Sequence, residues 1–312
     1  LPRRPRVEGA GRCHFHPRPS TTRSDTILAM LERPRAGRVR TSVSDTPVPS
    51  SSAPACRSSA RWSRRRWLLQ AAWATPTAGL LHVTRVEPRW LAIRQHRFSP
   101  TPSLRVAHFT DVHYRGDEGR LQDVVDAING LRPDVVVFTG DLVEEARYFA
   151  SALAVLSGLR APLYGIPGNH DHWARADFAA ARRAFAATGG RWLQDESTTA
   201  AGGRLCITGV DRLGPIPVAR PADGAFHLVL MHYPIWADRL SLAADLVLAG
   251  HSHGGQVRLP LVGALVRPHD VGSYELGWYA TQAGPLYVNP GIGCLGFDVR
   301  FNCRPEVAVF EV

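Results

Sequence analysis

The chain has 312 residues and a formal net charge of +10, and it contains arginine but no lysine. Residues 1–100 carry 19 arginines against 5 acidic residues, whereas residues 101–312 carry 18 against 22. Since a nucleic-acid-binding domain needs a basic face on its folded part, the mildly acidic remainder excludes nucleic acid as the expected partner. None of the five cysteines forms a Cys-x-x-Cys pair, which argues against a zinc ribbon or a thioredoxin-like site. We expect Cys294 and Cys303 to be inert buried thiols, with a disulfide between them as the alternative in an oxidising compartment.

Composition divides the first hundred residues into three segments. Residues 1–60 are rich in Pro, Ser, Arg and Thr, so we expect a disordered extension, which a downstream start codon would remove from the natural protein. Residues 61–82 hold paired arginines followed by the uncharged run 67–81, and this pattern resembles a twin-arginine export signal. It predicts an exported or cell-envelope protein with membrane association through residues 67–81; a basic patch beside a short helix, in a cytoplasmic protein, is the alternative. Residues 83–103 are expected to be a linker or a lead-in strand.

Strands and helices alternate between residue 104 and about residue 188. Continuous apolar runs predict buried strands, and apolar residues at helical spacing predict helices. Pro133 and Gly189-Gly190 follow two of these helices as stop signals. The predicted strands are 104–109, 134–138 and 162–166, and helices are predicted near 121–131, over 144–157, and from 171 to about 188.

Short strands separated by Gly and Pro turns fill the rest of the chain. They are predicted near 191–194, 204–209, 226–231, 245–249, 277–281, 285–289 and 305–311. An alternating β-α-β half followed by a strand-rich half predicts an α/β protein in which two mixed β-sheets pack together and helices cover them. Residues 104–312 are expected to form this one catalytic domain.

Polar side chains with metal-ligand chemistry follow five of the predicted strands. Because sites in open α/β sheets form beyond the carboxyl ends of the strands, we expect these side chains to converge. The donors are carboxylates, imidazoles and one amide, which suits Mn²⁺, Fe or Zn²⁺. Their number exceeds the needs of one zinc and suits two ions that clamp a phosphoryl group, with a carboxylate as the bridge. The residues are Asp111, His113, Asp141, Asn169, His170, His232, His251 and His253.

The same residues form five sequence blocks with a familiar order and spacing. Asp111-x-His113, Gly140-Asp141, Gly168-Asn169-His170-Asp171, His232 and Gly250-His251-x-His253 resemble the signature of the calcineurin-like metallophosphoesterases. The resemblance implies a four-layer αββα sandwich with two divalent metal ions and a bridging hydroxide as nucleophile. It implies that Asp111, His113 and His253 bind the first ion, that Asn169, His232 and His251 bind the second, and that Asp141 bridges them. By the same likeness, His170 is the general acid, and Asp171 orients it.

Further motifs narrow the resemblance to one subgroup. The sequence 250–260, Asn289-Pro-Gly-Ile-Gly293 and the run 300–306 resemble the bacterial exported YkuE/YaeI-type phosphoesterases. The implied function is hydrolysis of phosphomonoesters or phosphodiesters of small molecules. A UDP-2,3-diacylglucosamine pyrophosphatase-like hydrolase of the lipid A pathway, with a lipid-linked substrate, is the alternative.

Other residues remain open to more than one interpretation. A groove that binds the acyl chains of a lipid-linked substrate could be lined by Trp236, Leu240, Leu261, Leu265 and Trp278. The competing interpretation is that these apolar residues belong to the core. Arg212, Arg258 and Arg300 are candidates for the substrate cleft, with a surface role as the alternative for each. A non-catalytic scaffold on the same fold is a third interpretation, which the complete set of ligand residues disfavours. The oligomeric state is left open.

Overall fold

A computed structural model of the chain describes residues 76–212, 224–241 and 243–312. The predicted disordered extension 1–60 and most of the arginine-rich segment 61–82 lie outside the described residues. The described part begins with a short helical stretch, residues 76–86, which continues into a 3₁₀ turn at Glu87–Arg89. Among the described residues, no helix combines the length and apolar character needed to cross a bilayer.

The first sheet contains six strands. In spatial order they are β1 (Ala92–Arg97), β14 (Glu306–Glu311), β2 (Arg105–Phe109), β3 (Val135–Phe138), β4 (Leu163–Gly165) and β5 (Arg191–Trp192). Strands β2 to β5 run parallel to one another. The C-terminal strand β14 lies between β1 and β2, parallel to the first and antiparallel to the second.

The second sheet also contains six strands and is mixed. In spatial order they are β12 (Gly277–Thr281), β13 (Gly284–Val288), β9 (Leu246–Ala249), β8 (Phe226–Met231), β7 (Leu205–Val210) and β6 (Glu196–Ala200). The central strands are parallel, whereas β12 and β6 pair antiparallel at the two edges. A separate hairpin consists of β10 (Arg258–Leu259) and β11 (Gly263–Ala264).

Beyond the stretch 76–86, the described residues contain four α-helices: α1 (Glu118–Leu131), α2 (Phe149–Leu156), α3 (Asn169–Trp173) and α4 (Phe178–Ala187). Helix α1 begins at Asp117, whose side chain accepts a hydrogen bond from the backbone N–H of Arg120, as is usual for a helix N-cap. It buries one face, formed by Leu121, Val124, Val125 and Ile128, against the first sheet.

The two sheets pack face to face around a common apolar core. Val106 and Phe310 of the first sheet meet Leu228 and Leu248 of the second. Helices α1, α2 and α4 cover the outer face of the first sheet, and the 3₁₀ helix Pro234–Asp238 packs on the outer face of the second. The predicted α/β sandwich of two mixed sheets with helices outside is therefore confirmed.

Some predicted elements differ in detail from the observed ones. The predicted helix 144–157 begins with a 3₁₀ turn, Ala146–Tyr148, before α2. The segment 83–103, expected to be a linker or a lead-in strand, contains β1. Cys294 and Cys303 are free, buried thiols, so the disulfide alternative is wrong.

Candidate metal centre

The polar residues predicted from the sequence converge at one edge of the sandwich. Strands β2, β3 and β4 of the first sheet and β8 and β9 of the second each end within a few residues of one of them. Three overlapping groups of three residues have ligand atoms that all lie within 4.8 Å of one another. The first group is Asp111, His113 and His253, the second is Asp141, His232 and His251, and the third, His113, Asp141 and His170, shares a residue with each of them. Both sheets therefore contribute side chains to a single buried cluster.

The backbone bends sharply at most of these positions. Five residues of the cluster have a positive φ: Asp111 (49°), His113 (45°), Asp141 (61°), His251 (67°) and His253 (50°). Such angles are uncommon for residues other than glycine, and each costs on the order of 1–3 kcal/mol. Strain of this kind concentrates where the backbone must aim side chains at a common point, and here it does so on both sheets.

In the first group, two imidazoles face each other with a carboxylate beside them. His113 Nε2 lies 3.0 Å from His253 Nε2, which in turn lies 3.5 Å from Asp111 Oδ1. All three side chains are buried. Two nitrogen lone pairs cannot approach this closely unless a proton or a cation lies between them. The donor arrangement therefore fits a divalent cation.

In the second group, backbone carbonyls hold the imidazoles with one nitrogen facing inward. His232 Nδ1 donates to the Thr139 carbonyl at 2.7 Å, so His232 Nε2 is left as the lone-pair atom. That Nε2 lies 3.2 Å from Asp141 Oδ2 and 2.9 Å from Asn169 Oδ1. His251 Nε2 contacts the carbonyl of His269 at 2.7 Å, which leaves its Nδ1 for the cluster. Partners of this type fix the tautomer of a metal-binding histidine.

Asp141 lies between the two groups. Its Oδ2 is 3.7 Å from His113 Nε2 and 3.2 Å from His232 Nε2, and its Oδ1 accepts a hydrogen bond from the backbone N–H of His170 at 2.8 Å. Gly168 leaves room for this carboxylate, because a Cβ at that position would lie 2.1 Å from Asp141 Oδ1. The carboxylate is thus in contact with both halves of the cluster.

Burial and mutual charge set the protonation of the cluster. Although burial opposes it, the neighbouring imidazoles, above all His232, hold the pKa of Asp141 well below its ordinary value. Burial likewise works against the charged form of His232, yet the Asp141 carboxylate raises the pKa of His232 to about 9. Burial lowers the pKa of His251 to about 4 and raises the pKa of Asp111 to about 6. The metal-free cluster therefore binds protons that a cation would have to displace.

The side chain of Asp171 has different partners from those expected. Both of its oxygens accept hydrogen bonds from backbone N–H groups, namely those of Gly168, Asp141, Leu142 and Val143, at 2.9–3.2 Å. No hydrogen bond joins it to the His170 imidazole within the described part of the chain. Asp171 therefore holds together the two loops that follow β3 and β4, and it does not orient His170 directly.

The His170 ring is half-buried at the rim of the cluster. It packs edge-on against His113, with ring centroids 4.8 Å apart, and against the exposed Trp173, also at 4.8 Å. Burial lowers the pKa of His170, and this direction is opposite to the rise expected from a carboxylate partner. Ring packing, rather than a carboxylate, positions this imidazole.

Arg300 is wholly buried and cannot line a substrate cleft. Its guanidinium donates to the backbone carbonyls of Pro290, Gly291, Gly293 and Cys303. The loop that it gathers, residues 290–293, donates hydrogen bonds to the carbonyls of residues 110 and 111. Arg300 therefore stabilises the loop 290–293, which in turn holds the backbone at Asp111 of the first group. Of the other cleft candidates, Arg258 pairs with Glu275, and Arg212 lines a cavity of about 220 Å³ beside the second group.

Comparisons with known proteins agree with this geometry. Residues 104–255 match the family profile of the calcineurin-like phosphoesterases. The chain contains a calcineurin-like metallophosphoesterase domain. The family and its relatives indicate a phosphoester hydrolase.

Two relatives are similar in sequence to this chain, and one solved structure aligns with part of it. It is 29% identical over 282 residues to the uncharacterized metallophosphoesterase YkuE of Bacillus subtilis (strain 168), covering 81% of this chain and 98% of that protein. It is 28% identical over 268 residues to the phosphodiesterase YaeI of Escherichia coli (strain K12), covering 80% and 99%. A dimetal phosphatase from Danio rerio aligns over 62% of this chain and 88% of that one, with 12% identity and a TM-score of 0.39.

Several residues of the metallophosphoesterase site were not predicted from the sequence. Glu144 lies 3.3 Å from His113 Nδ1 and also pairs with Arg115. The Tyr233 ring packs against His251, with centroids 4.4 Å apart. Tyr233 could have been suspected from the sequence, because it follows the predicted ligand His232 directly. Glu144 could not, because it stands in an ordinary pair of acidic residues.

Proposed function

We propose that this metallophosphoesterase hydrolyses its substrates at a centre that holds two divalent cations. The observation that carries the proposal is the position of the Asp141 carboxylate, whose Oδ2 faces imidazoles of both ligand groups. A carboxylate shared in this way is the usual bridge of a two-metal site. The absence of thiolates from the cluster favours Mn²⁺, Fe or Zn²⁺ as the ions.

The proposed ligand sets follow the two groups. Asp111, His113 and His253 would hold one ion, Asn169, His232 and His251 the other, and Asp141 would bridge them. Two such ions supply positive charge to the phosphoryl oxygens and lower the pKa of an attacking water. The chain's own contribution is to keep the imidazoles of His251 and His253 uncharged, because burial lowers both of their pKa values.

His170 is the proposed acid for the leaving group. Its ring stands beside His113 at the rim, where a bound phosphoryl group would come within reach. Burial lowers the pKa of the free imidazole, but an arriving phosphoryl anion favours the protonated form. The protonated ring would then donate its proton to the departing oxygen, a role that typically contributes 10²–10⁴-fold to the rate.

A phosphodiester is the favoured substrate class, because the relative YaeI bears the name of a phosphodiesterase. A lipid-linked pyrophosphate is the second candidate. Within the apolar set considered for an acyl groove, Leu240 is buried and Trp236 packs on the second core, whereas Leu261, Leu265 and Trp278 are exposed. The three exposed side chains are available to contact acyl chains, and this observation supports the second candidate.

The test measures metal content and activity together. Purified wild-type protein is loaded with Mn²⁺ and assayed on an alkyl phosphodiester, whose alkoxide leaving group needs a proton, and on a nucleotide-lipid pyrophosphate. We expect His170→Ala to lose at least 100-fold in kcat while keeping its metal. His227→Gln is the control for loss of a histidine elsewhere in the fold, because His227 lies in β8 and bonds to Thr208 outside the cluster. Equal rates for wild type and His170→Ala would remove the proposed acid.

We also propose export, on the strength of the arginine pairs at residues 61–66 and the uncharged run that follows them. A fusion of residues 1–100 to a reporter that is active only after export tests this proposal. Substitution of Arg64 and Arg65 by lysine should block the reporter signal, because that route depends on the arginine pair. An unchanged signal would contradict export by this route.

A further inference from the structure

A short hairpin beside the metal centre carries an unusual apolar surface. We call residues 257–266 the apolar hairpin; it contains β10 and β11 and the turn between them. Leu261 is fully exposed at the tip, and Val262 and Val266 are 68% and 74% exposed. Leu259 and Leu265 are exposed as well. Exposed apolar side chains concentrated in one short hairpin are a candidate binding surface.

The backbone at the tip of the hairpin adopts a strained conformation. A hydrogen bond from the Val262 N–H to the Leu259 carbonyl closes the turn, and its third residue, Leu261, has a φ of 68°. Glycine or asparagine usually occupies such a position, and another residue costs about 1–2 kcal/mol there. Leu261 is fully exposed among the described residues, so an apolar contact with a partner would offset the cost of this conformation.

Two further exposed segments join the hairpin at its base. The backbone of Phe301 exchanges hydrogen bonds with Gln256 and Arg258, and the neighbouring N–H of Arg300 donates to the Val83 carbonyl in the helical stretch 76–86. That stretch exposes Leu80 and Leu81. The Gln256 side chain also donates to the carbonyl of Leu295, in the loop that carries Phe297, which is 84% exposed.

Charge indicates what covers this surface. The hairpin sequence is bracketed by Arg258 and Arg267, which share Glu275, so one of the two positive charges is left without an acidic partner there. The helical stretch 76–86 is preceded directly by four arginines within residues 61–66 and by the run Trp67-Leu-Leu-Gln-Ala-Ala-Trp-Ala-Thr75. Basic residues beside tryptophan and leucine are the composition that binds the interface of an anionic bilayer.

We propose that the apolar hairpin inserts its tip into the surface of an anionic lipid bilayer and thereby turns the metal centre toward it. The hairpin is well placed for this, because Arg258 donates to the carbonyl of Gly254, next to His253. Beyond its other end, the carbonyl of His269 holds His251. Docking through the hairpin brings ligand-bearing segments of both groups to the lipid surface. The phosphoesters within reach are then those of lipid headgroups or of groups carried on lipid.

The experiment measures binding of the full chain to vesicles by flotation, at low and high salt. The probes are vesicles of phosphatidylcholine alone and of phosphatidylcholine with phosphatidylglycerol. We expect binding to the anionic vesicles that weakens with salt. The variant Leu261→Asp/Val262→Asp should lose at least ten-fold in affinity, which corresponds to about 1.4 kcal/mol. Its urea unfolding midpoint should stay that of the wild type, since both side chains lie outside the core.

Ile93→Asp is the matched control, because Ile93 is an exposed apolar residue on the edge strand β1, outside the hairpin. It should bind vesicles as the wild type does. Equal binding by the wild type and the tip variant, or equal binding to neutral and anionic vesicles, would overturn the proposal. A wild-type dimer that ignores vesicles and dissociates in the tip variant would also overturn it and assign the surface to a second copy of the chain.

Discussion

Replacing Asp171 by asparagine tests whether this carboxylate acts on the backbone or on His170. Its two oxygens accept four backbone N–H groups from residues 141, 142, 143 and 168. Asparagine offers one oxygen and turns its NH₂ group toward two of those donors. Each buried donor left without an acceptor costs about 1–3 kcal/mol, so we expect Asp171→Asn to lower the free energy of unfolding by about 2–6 kcal/mol.

Urea unfolding of the metal-free protein measures this loss. Asp177→Asn is the matched control, because Asp177 caps α4 through a single bond to the Ala180 N–H, and asparagine caps helices as well as aspartate does. The control should stay within about 0.5 kcal/mol of the wild type. If Asp171→Asn were equally mild and altered only the pH profile of kcat, Asp171 would act through His170, and the backbone role would be refuted.

Three further predictions use the same structure. Gly250→Ala should weaken Mn²⁺ binding at least ten-fold in a calorimetric titration, because its Cβ would lie 2.3 Å from Asp111 Oδ2; unchanged binding would contradict the assigned crowding. Arg300→Met should cost about 3 kcal/mol or more in urea unfolding, because the buried backbone carbonyls lose their donor. His172→Gln should be less stable than the wild type at pH 5.5 but not at pH 9. The hydrogen bond to Asp211 raises the pKa of His172 in the folded protein. The stabilisation from this bond is therefore complete below the unfolded-state pKa of about 6.5 and is lost as the pH rises through the folded-state pKa. A stability difference that does not change with pH would contradict the last prediction.

The convergence of the site residues could be predicted because each follows an apolar run. Runs such as Val135–Phe138 and Leu246–Ala249 are continuous enough to be read as buried strands, and parallel strands deliver their following residues to one edge. The position of β14 between β1 and β2 could not be predicted in the same way. Its pairing joins residues that lie more than two hundred positions apart, and the local pattern of a strand does not specify its neighbour.

The misassigned polar residues share a physical cause. Asp171 follows His170 directly, so a contact between the two side chains is the simplest inference from the sequence, but the partners of Asp171 are mostly N–H groups some thirty residues earlier. Arg300 is charged and is a candidate for the substrate cleft by sequence, yet a cluster of backbone carbonyls in a tight loop satisfies its donors inside the protein. Backbone groups leave no mark in a sequence, so partners of this kind emerge only from the fold.

In the proposed centre the Asp141 carboxylate joins two cations, and electron paramagnetic resonance of the Mn²⁺-loaded protein tests this directly. We expect two Mn²⁺ ions per chain with an exchange-coupled spectrum, since a shared carboxylate holds such ions about 3.5–4 Å apart. In Asp141→Asn the coupling should disappear. A single uncoupled Mn²⁺ signal in the wild type, or coupling that survives in Asp141→Asn, would contradict the bridging role of Asp141.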